Sequence, residues 1–343
     1  MSDLKKILGY VGCVGAVVVI AVFAATWIGF HRGDPTDFTQ GTVGLCSNVP
    51  EPYKTIFDQA GQKWKVQPAF IAAIFVGEWR SVADSNYKKW PDANQKNWNN
   101  SNKGAQGPFQ FMPDTWESNK QDGNGDGVMD VQNLWDASFS AAHLSANNGA
   151  GGNTTDLDKL RDAASKYNSG KPWLIGQGYT ETKKYVPRVI EAYQQFYCAT
   201  LAGNGDIVAV AKVELELGIQ ETGKDRGPVL KYGGNPGDPW CAYFASWVYK
   251  KAGYNIQPIA GAKALYDWFG KYQISFTKEA GTPQPGDLIY FNKSHVGIVV
   301  SLDSNGTLRT IEGNAGTPGA VRAEEYHNYK NIDDIEGFGR WKK

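Results

Sequence analysis

Methionine, histidine and cysteine are scarce in this chain, at three, four and four of 343 residues. So few cysteines exclude a disulfide-built scaffold, and no Cys or His pair falls at the spacing of a zinc site, so no metal is assigned. An excess of either charge is also missing, with 35 basic against 35 acidic side chains. The basic footprint of a nucleic-acid binder is therefore absent, and no nucleic-acid partner is expected. Charge is lacking altogether from Ile7 to Phe30, a run of 24 residues preceded by Lys5 and Lys6. At about 1.5 Å per residue such a run crosses a bilayer as a helix. The two lysines orient it with the N-terminus in the cytoplasm and the rest of the chain outside, a single-pass plasma-membrane anchor. A signal peptide cut near Ala24 is the alternative. A lipoprotein signal at Cys13 is excluded, because the apolar run follows that cysteine.

What is plentiful is glycine and aromatic residues, with Gly 40, Trp 12, Tyr 17 and Phe 15. The chain divides into an N-terminal tip and membrane helix (1–30), a linker (31–50), a helical domain (51–198), a short joint (199–206) and a second domain (207–343). Cys46 and Cys198 flank the helical domain. Outside the cell they are candidates to close it with a disulfide; two unpaired thiols are the alternative.

In the helical domain, Pro68, Phe70, Ile71, Ile74, Phe75 and Glu78 follow a helical period. Glu78 then lies at the C-terminal end of an apolar helix, where the dipole and apolar neighbours both disfavour its ionised form. A carboxyl kept protonated near neutral pH is what glycosidic-bond cleavage needs. A solvated helix-end glutamate is the ordinary alternative. Asp84 and Asp114 are possible second carboxylates, each more simply read as a loop or turn residue. The run from Asp122 through Asn124, Asp126 and Asp130 opens like a calcium loop over 122–133, but Asn133 stands where a bidentate Glu belongs. A Gly/Asp-rich turn is the simpler reading, and no cofactor is required.

In the second domain, DPWCAYFASWVYKKAG (238–253) reads as a loop entering a helix. Asp238 is expected as N-cap and Pro239 at the first helical position, which puts Cys241 in the first turn, where the dipole favours a thiolate. Strand patterns follow at 287–291, 295–302, 307–313 and 337–341. Asn305-Gly306 predicts a two-residue hairpin turn that pairs Val299 with Glu312 and Gly297 with Asn314. On that register both polar side chains share a face with His295, and Asn314 is the nearer.

GAQGPFQFMPDTW (104–116), YNSG (167–170), the 122–149 segment and YVPRVIEAY (185–193) resemble, in order, the motifs of the lysozyme-like lytic transglycosylases. The resemblance implies a mainly-α domain in which Glu78 is the general acid, Gln110, Tyr167 and Asn168 line the saccharide groove, and peptidoglycan glycan is the substrate. Muramidase chemistry, which uses a carboxylate pair, stays open beside it. PWCAYF, GDLIYF, HVGIVV and IEGN resemble a CHAP domain, an α+β papain-like module with an antiparallel sheet. The related NlpC-type peptidases share the Cys and His logic. The CHAP resemblance implies Cys241 as nucleophile and His295 as base, with Glu312 and Asn314 completing the site and Glu312 orienting the histidine, against the register above. A membrane-anchored pair of such heads resembles the wall-opening enzymes of Gram-positive conjugative type IV secretion systems. That implies partners among secretion-system proteins. A general autolysin, or a scaffold component with one or both heads inactive, is the competing reading.

Overall fold

The computed structural model describes residues 42–46, 49–85, 87–200 and 206–342. The expected membrane helix lies outside them; among the described residues no helix is long and apolar enough to cross a membrane.

The helical half is built around one segment. Helices α1 (Tyr53–Trp64) and α2 (Pro68–Glu78) are joined by a short turn, and Pro68 occupies the first turn of α2, where its missing N–H costs nothing. Every residue of α2 except Glu78 is buried, as expected of a helix apolar on all sides. Around it come α3 (Arg80–Asp84), α4 (Pro113–Asn119), α5 (Leu134–Ser145), α6 (Leu157–Ser169), α7 (Trp173–Gly176) and α8 (Thr180–Phe196). Helix α8 presses closest. A Cβ on Gly77 would lie 2.8 Å from the Tyr185 ring and from Val189, so glycine at that position lets α8 reach the end of α2.

The stretch before α1 differs from the expected linker. Strand β1 (Thr42–Leu45) pairs antiparallel with β2 (Tyr197–Thr200), setting Gly44 opposite Cys198. Cys46 and Cys198 are disulfide-bonded, with Cα atoms 5.2 Å apart. Leu45, Cys46 and Val49 are buried, so part of the proposed linker belongs to the core, and the helical half runs on to Thr200. A four-residue strand is too short to reveal itself by alternation.

The second half opens with α9 (Ile207–Glu216) and a 3₁₀ turn (Pro228–Tyr232), followed by α10 (Cys241–Lys251) and α11 (Ala262–Tyr272). Its strands are β3 (Ile274–Thr277), β4 (Leu288–Phe291), β5 (His295–Leu302), β6 (Leu308–Ala315), β7 (Ala320–Tyr326) and β8 (Ile335–Arg340). They form one six-stranded sheet in the order β3-β8-β4-β5-β6-β7, antiparallel throughout. Strands β3 and β7 were not expected from the sequence. Helix α10 lies on β5 and β6, and a Cβ on Gly313 would come 2.5 Å from Phe244.

The β5–β6 register also differs from expectation. The turn is longer than two residues, with Asp303 N–H donating to the Thr307 carbonyl and Gly306 N–H to the Asp303 carbonyl, both at 2.9 Å. A bulge between Val299 and Ser301 then sets Val299 opposite Thr310 and Ile298 opposite Ile311. The predicted pairing of Val299 with Glu312 is thereby replaced.

Candidate functional site

Two constellations of polar groups stand out, one in each half. In the first, Glu78 ends α2, and Tyr185 and Arg188 approach it from α8. Burial pushes the Glu78 carboxyl up to about 7. The Tyr185 hydroxyl and the Arg188 guanidinium pull it the other way, and Glu181 adds to the rise. Arg188 is fixed by donating to the Gly77 carbonyl at 2.6 Å. Tyr167 is half-buried near Glu78, and desolvation together with the Glu78 charge holds its phenol well above the usual range. Such a carboxyl, shared between its two protonation states near neutrality, is able to give a proton and take one back.

The 104–111 loop is fixed against this end of α2 from two sides. Trp79 Nε1–H donates to the Pro108 carbonyl at 2.7 Å, and the Tyr167 hydroxyl donates to the Phe109 carbonyl at 2.9 Å. Gly107 has φ +72°, and a Cβ there would meet the Val131 carbonyl oxygen at 1.9 Å, so the turn requires glycine.

The expected groove residues therefore separate by role. Tyr167 lies close enough to feel the charge of Glu78, while its hydroxyl holds the Phe109 carbonyl. Gln110, itself at φ 51°, uses its amide NH2 on the carbonyls of Asn99 and Gly107, both at 2.8 Å, and so shapes the loop. Asn168 accepts from the Thr182 hydroxyl at 2.7 Å and ties α6 to α8. Neither Asp84 nor Asp114 is brought to Glu78: Asp84 lies 3.5 Å from Arg80 on an exposed face, and Asp114 is exposed in the first turn of α4. The carboxylate whose charge Glu78 feels is Glu181. Tyr185 and Arg188 carried a signal that sequence reading left unused, since their i, i+3 spacing puts both on one helix face.

In the 122–133 loop the side chains of Asp122, Asn124 and Asp126 accept the loop's own backbone N–H groups at 2.7 to 3.0 Å. Asn133 caps α5 by accepting from Trp135 N–H. The buried Asp136 closes the loop from behind, accepting from the N–H groups of Gly123 and Asp130. Among the described residues no group of three or more His, Cys, Asp or Glu side chains is placed to hold a metal ion.

In the second constellation, Cys241 is the first residue of α10, one position from its N-cap, Trp240. This corrects the expected cap: Asp238 instead accepts from Asn235 N–H at 3.0 Å, holding the turn before the helix. The reason is local, because the first helical bond runs from Phe244 N–H to the Trp240 carbonyl. The N–H groups of the first turn, Cys241's among them, have no intrahelical acceptor.

His295 starts β5. Its Nε2 lies 2.8 Å from Glu312 Oε2, which leaves Nδ1 for the Cys241 sulfur. Burial lowers the imidazole, but hydrogen bonds to Cys241 and Glu312 and their charges outweigh it and raise His295 to about 10. Glu312 is itself fully engaged. Its Oε1 accepts from the Thr310 hydroxyl at 2.6 Å and the Tyr326 hydroxyl at 2.8 Å, at a site 2% exposed. Thr310 and Tyr326 escaped sequence reading. Thr310 stands two residues before Glu312 on the same strand face and was findable by alternation; Tyr326 comes from a strand the sequence did not disclose.

Asn314, φ 59°, sits past a second register shift in β6 and hydrogen-bonds Asp225 in the loop before α10. The residue that orients His295 is Glu312, and Asn314 braces the neighbouring loop. The imidazole of His295 thus stands between the Cys241 thiol and the buried Glu312 carboxylate.

Residues 88–155 match the family model for the transglycosylase SLT domain, and residues 232–314 match that for the CHAP domain. The first match begins after Glu78; the second contains Cys241, His295, Glu312 and Asn314. No curated protein and no solved structure matches the chain significantly. These two matches indicate a lytic transglycosylase domain joined to an amidase or peptidase domain, and they support peptidoglycan as the substrate.

Proposed function

We propose that this chain, a transglycosylase SLT domain followed by a CHAP domain, cuts peptidoglycan at two kinds of bond from a membrane-anchored position. On the glycan strand, Glu78 in its protonated form gives its proton to the glycosidic oxygen as the C1–O bond breaks. The carboxylate so formed takes the proton of the C6 hydroxyl of the same muramoyl unit as that oxygen bonds C1. The ring closes as a 1,6-anhydro sugar, and Glu78 is protonated again. This cycle needs one carboxyl that titrates near neutrality, and the value of about 7 for Glu78 supports it. A water-using muramidase needs a base on the opposite face of the sugar, for which neither Asp84 nor Asp114 is placed.

At the second head, the Cys241 thiolate attacks the carbonyl carbon of an amide in the stem peptide, the cross-bridge or the sugar–peptide junction. The His295 imidazolium gives its proton to the departing amine, leaving a thioester. Water, losing a proton to His295, then displaces the sulfur. Glu312 holds the imidazole in the required orientation throughout. The observation that carries this reading is the 2.8 Å contact of Glu312 with His295 beside Cys241.

The uncharged 7–30 run supports anchoring at the plasma membrane, with both heads facing the wall. Two cutting heads on one anchor suit local opening of the wall for passage of a conjugative secretion machine, in contact with its other components. A zymogram on purified wall, followed by mass spectrometry of the products, tests the scheme. Glu78→Gln is expected to remove 1,6-anhydro-muramoyl ends, and Cys241→Ala to remove the amide products, each leaving the other class. Reducing muramoyl ends in the unmodified protein would falsify the transglycosylase step.

A further inference from the structure

A cavity of about 730 Å³ lies between the two halves of the chain. One wall is α8, from which Lys184, Arg188 and Glu191 project at helical spacing on one face, together with Arg80 from α3. The other wall is the loop of the second half that carries Thr222 and Arg226. Four cationic side chains thus meet two carboxylates, Glu191 and Asp84, in the lining. Asp84 is already engaged by Arg80, and burial disfavours the charge of Glu191. Among the described residues, neither Lys184 nor Arg226 has a carboxylate within ion-pair distance. Arg188 carries a buried Nε without a hydrogen-bond partner. The cavity is therefore cationic, and its charges are incompletely matched by the protein itself.

Its position gives the charge a meaning. Arg188 also faces Glu78, so one edge of the cavity adjoins the glycan-cutting group. On the other wall, Arg226 follows Asp225, which hydrogen-bonds Asn314, two residues beyond Glu312. Glu221 stiffens this connection by accepting from the N–H groups of Asp225 and Gly319, both at 2.8 Å. The cavity is thus walled on one side by the segment that reaches Glu78 and on the other by the loop braced to Asn314. In peptidoglycan, what hangs from the muramoyl unit beside the cut glycan bond is a short peptide with free carboxylates.

We infer that this cavity is a binding site for the carboxylates of a stem peptide, held by Lys184, Arg188 and Arg226 while its glycan lies at Glu78. The inference rests on the function proposed above. Guanidinium and ammonium groups at a partly enclosed site favour carboxylates over neutral amides, since only the anion returns a charge-assisted bond.

The test uses the full chain carrying Glu78→Gln and Cys241→Ala, titrated calorimetrically with a soluble disaccharide–tetrapeptide. One sample of the ligand has free carboxylates and the other has them amidated. The free acid is expected to bind roughly tenfold tighter, as two or three partly exposed ion pairs would supply. Lys184→Glu with Arg226→Glu should remove that preference, and the milder pair Lys184→Gln with Arg226→Gln should reduce it. Equal affinity for the two ligands, or a preference that survives charge reversal, overturns the assignment. Displacement by polyglycerol phosphate at lower concentrations than the muropeptide also overturns it, because the cavity would then belong to an anionic wall polymer. A separate assay keeps the two ideas apart. If peptide-free glycan is cut by the chain with Glu78 intact and no carboxylate preference is found, the cavity assignment fails and the glycan reading stands. If neither peptide-bearing nor peptide-free glycan is cut, the glycan reading fails first.

Discussion

Glu312 Oε2 lies 2.8 Å from His295 Nε2, while its other oxygen accepts from Thr310 and Tyr326. Two hydroxyls thus hold the carboxylate aimed, and Cys241 and the carboxylate together outweigh burial and raise the imidazole. The sign of the pH effect follows. His295 is raised from 6.5 to about 10, so the stability it contributes is complete below about pH 6.5 and is lost as pH rises through 10. The amide-cutting activity should hold to the same limit, since the imidazolium is the proton donor to the leaving amine. Glu312→Gln removes the charge and shifts that alkaline limit down. It should also cost about 10- to 100-fold in kcat/KM for amide cleavage without touching glycan cleavage. A pH–rate profile of each activity checks this. An unmoved alkaline limit would mean that Glu312 does not act through His295.

The space for Glu312 comes from the neighbouring strand. A Cβ on Gly297 would lie 2.6 Å from Glu312 Cγ, whereas one on Gly313 would strike Phe244 of α10. The two alanine substitutions should therefore fail differently. Gly297→Ala displaces the carboxylate and lowers amide cleavage more than it lowers the melting temperature. Gly313→Ala lifts α10 off the sheet and should cost about 1–3 kcal/mol of stability, as overpacking does. Parallel melting curves and amidase rates distinguish them; equal losses of stability in both variants would contradict the assignment of Gly297.

For Glu78 the direction of the pH dependence is set by its rise to about 7. A carboxyl raised on folding makes the native state the tighter proton binder between its unfolded value near 4.5 and 7, so stability falls with pH across that window. Glu78→Gln removes this penalty. The variant should melt a few degrees higher than the parent at pH 8 and at the same temperature at pH 4, while losing about 10²–10⁴-fold in glycan cleavage. In the parent, glycan cleavage should decline above pH 7 as the acid form disappears. A variant that melts lower at pH 8 would show that Glu78 is stabilising as an anion.

What the sequence disclosed follows the range of the forces involved. The apolar period of 68–78 and the short β-rich runs around His295 are local patterns, and they located Glu78, Cys241 and His295. Whether Glu312 or Asn314 meets the histidine was not local. It depends on the bulge near Val300 and on a turn longer than Asn305-Gly306 suggests. Asp238 was read as a cap because its type suits one, yet its carboxylate bonds back to Asn235. Tyr185, Arg188 and Glu181 bear on Glu78 only because α8 packs across the end of α2. Nothing within either segment records that contact. The β1–β2 ribbon joins segments more than 150 residues apart, and no periodicity reveals it.

A buried ion pair inside the second half is tied to the first half through Gln194 of α8. Lys231 Nζ lies 2.6 Å from Glu214 Oε2, both side chains almost wholly buried, and it also donates to the Gln194 carbonyl on α8 at 3.0 Å. Tyr232 donates to the same carboxylate at 2.7 Å, and Gln194 returns a bond to the Leu217 carbonyl, also at 2.7 Å. Burial lowers the Lys231 ammonium, so the pair persists only because each charge answers the other. Removing one partner should thus cost more than removing both. Lys231→Met leaves Glu214 buried with a single hydroxyl donor and is expected to destabilise by about 3–5 kcal/mol. Lys231→Met with Glu214→Leu should recover most of that loss, since an apolar pair of similar volume carries no desolvation penalty. Chemical denaturation of the two variants and the parent supplies the comparison. Additive losses would show that the two charges are not coupled.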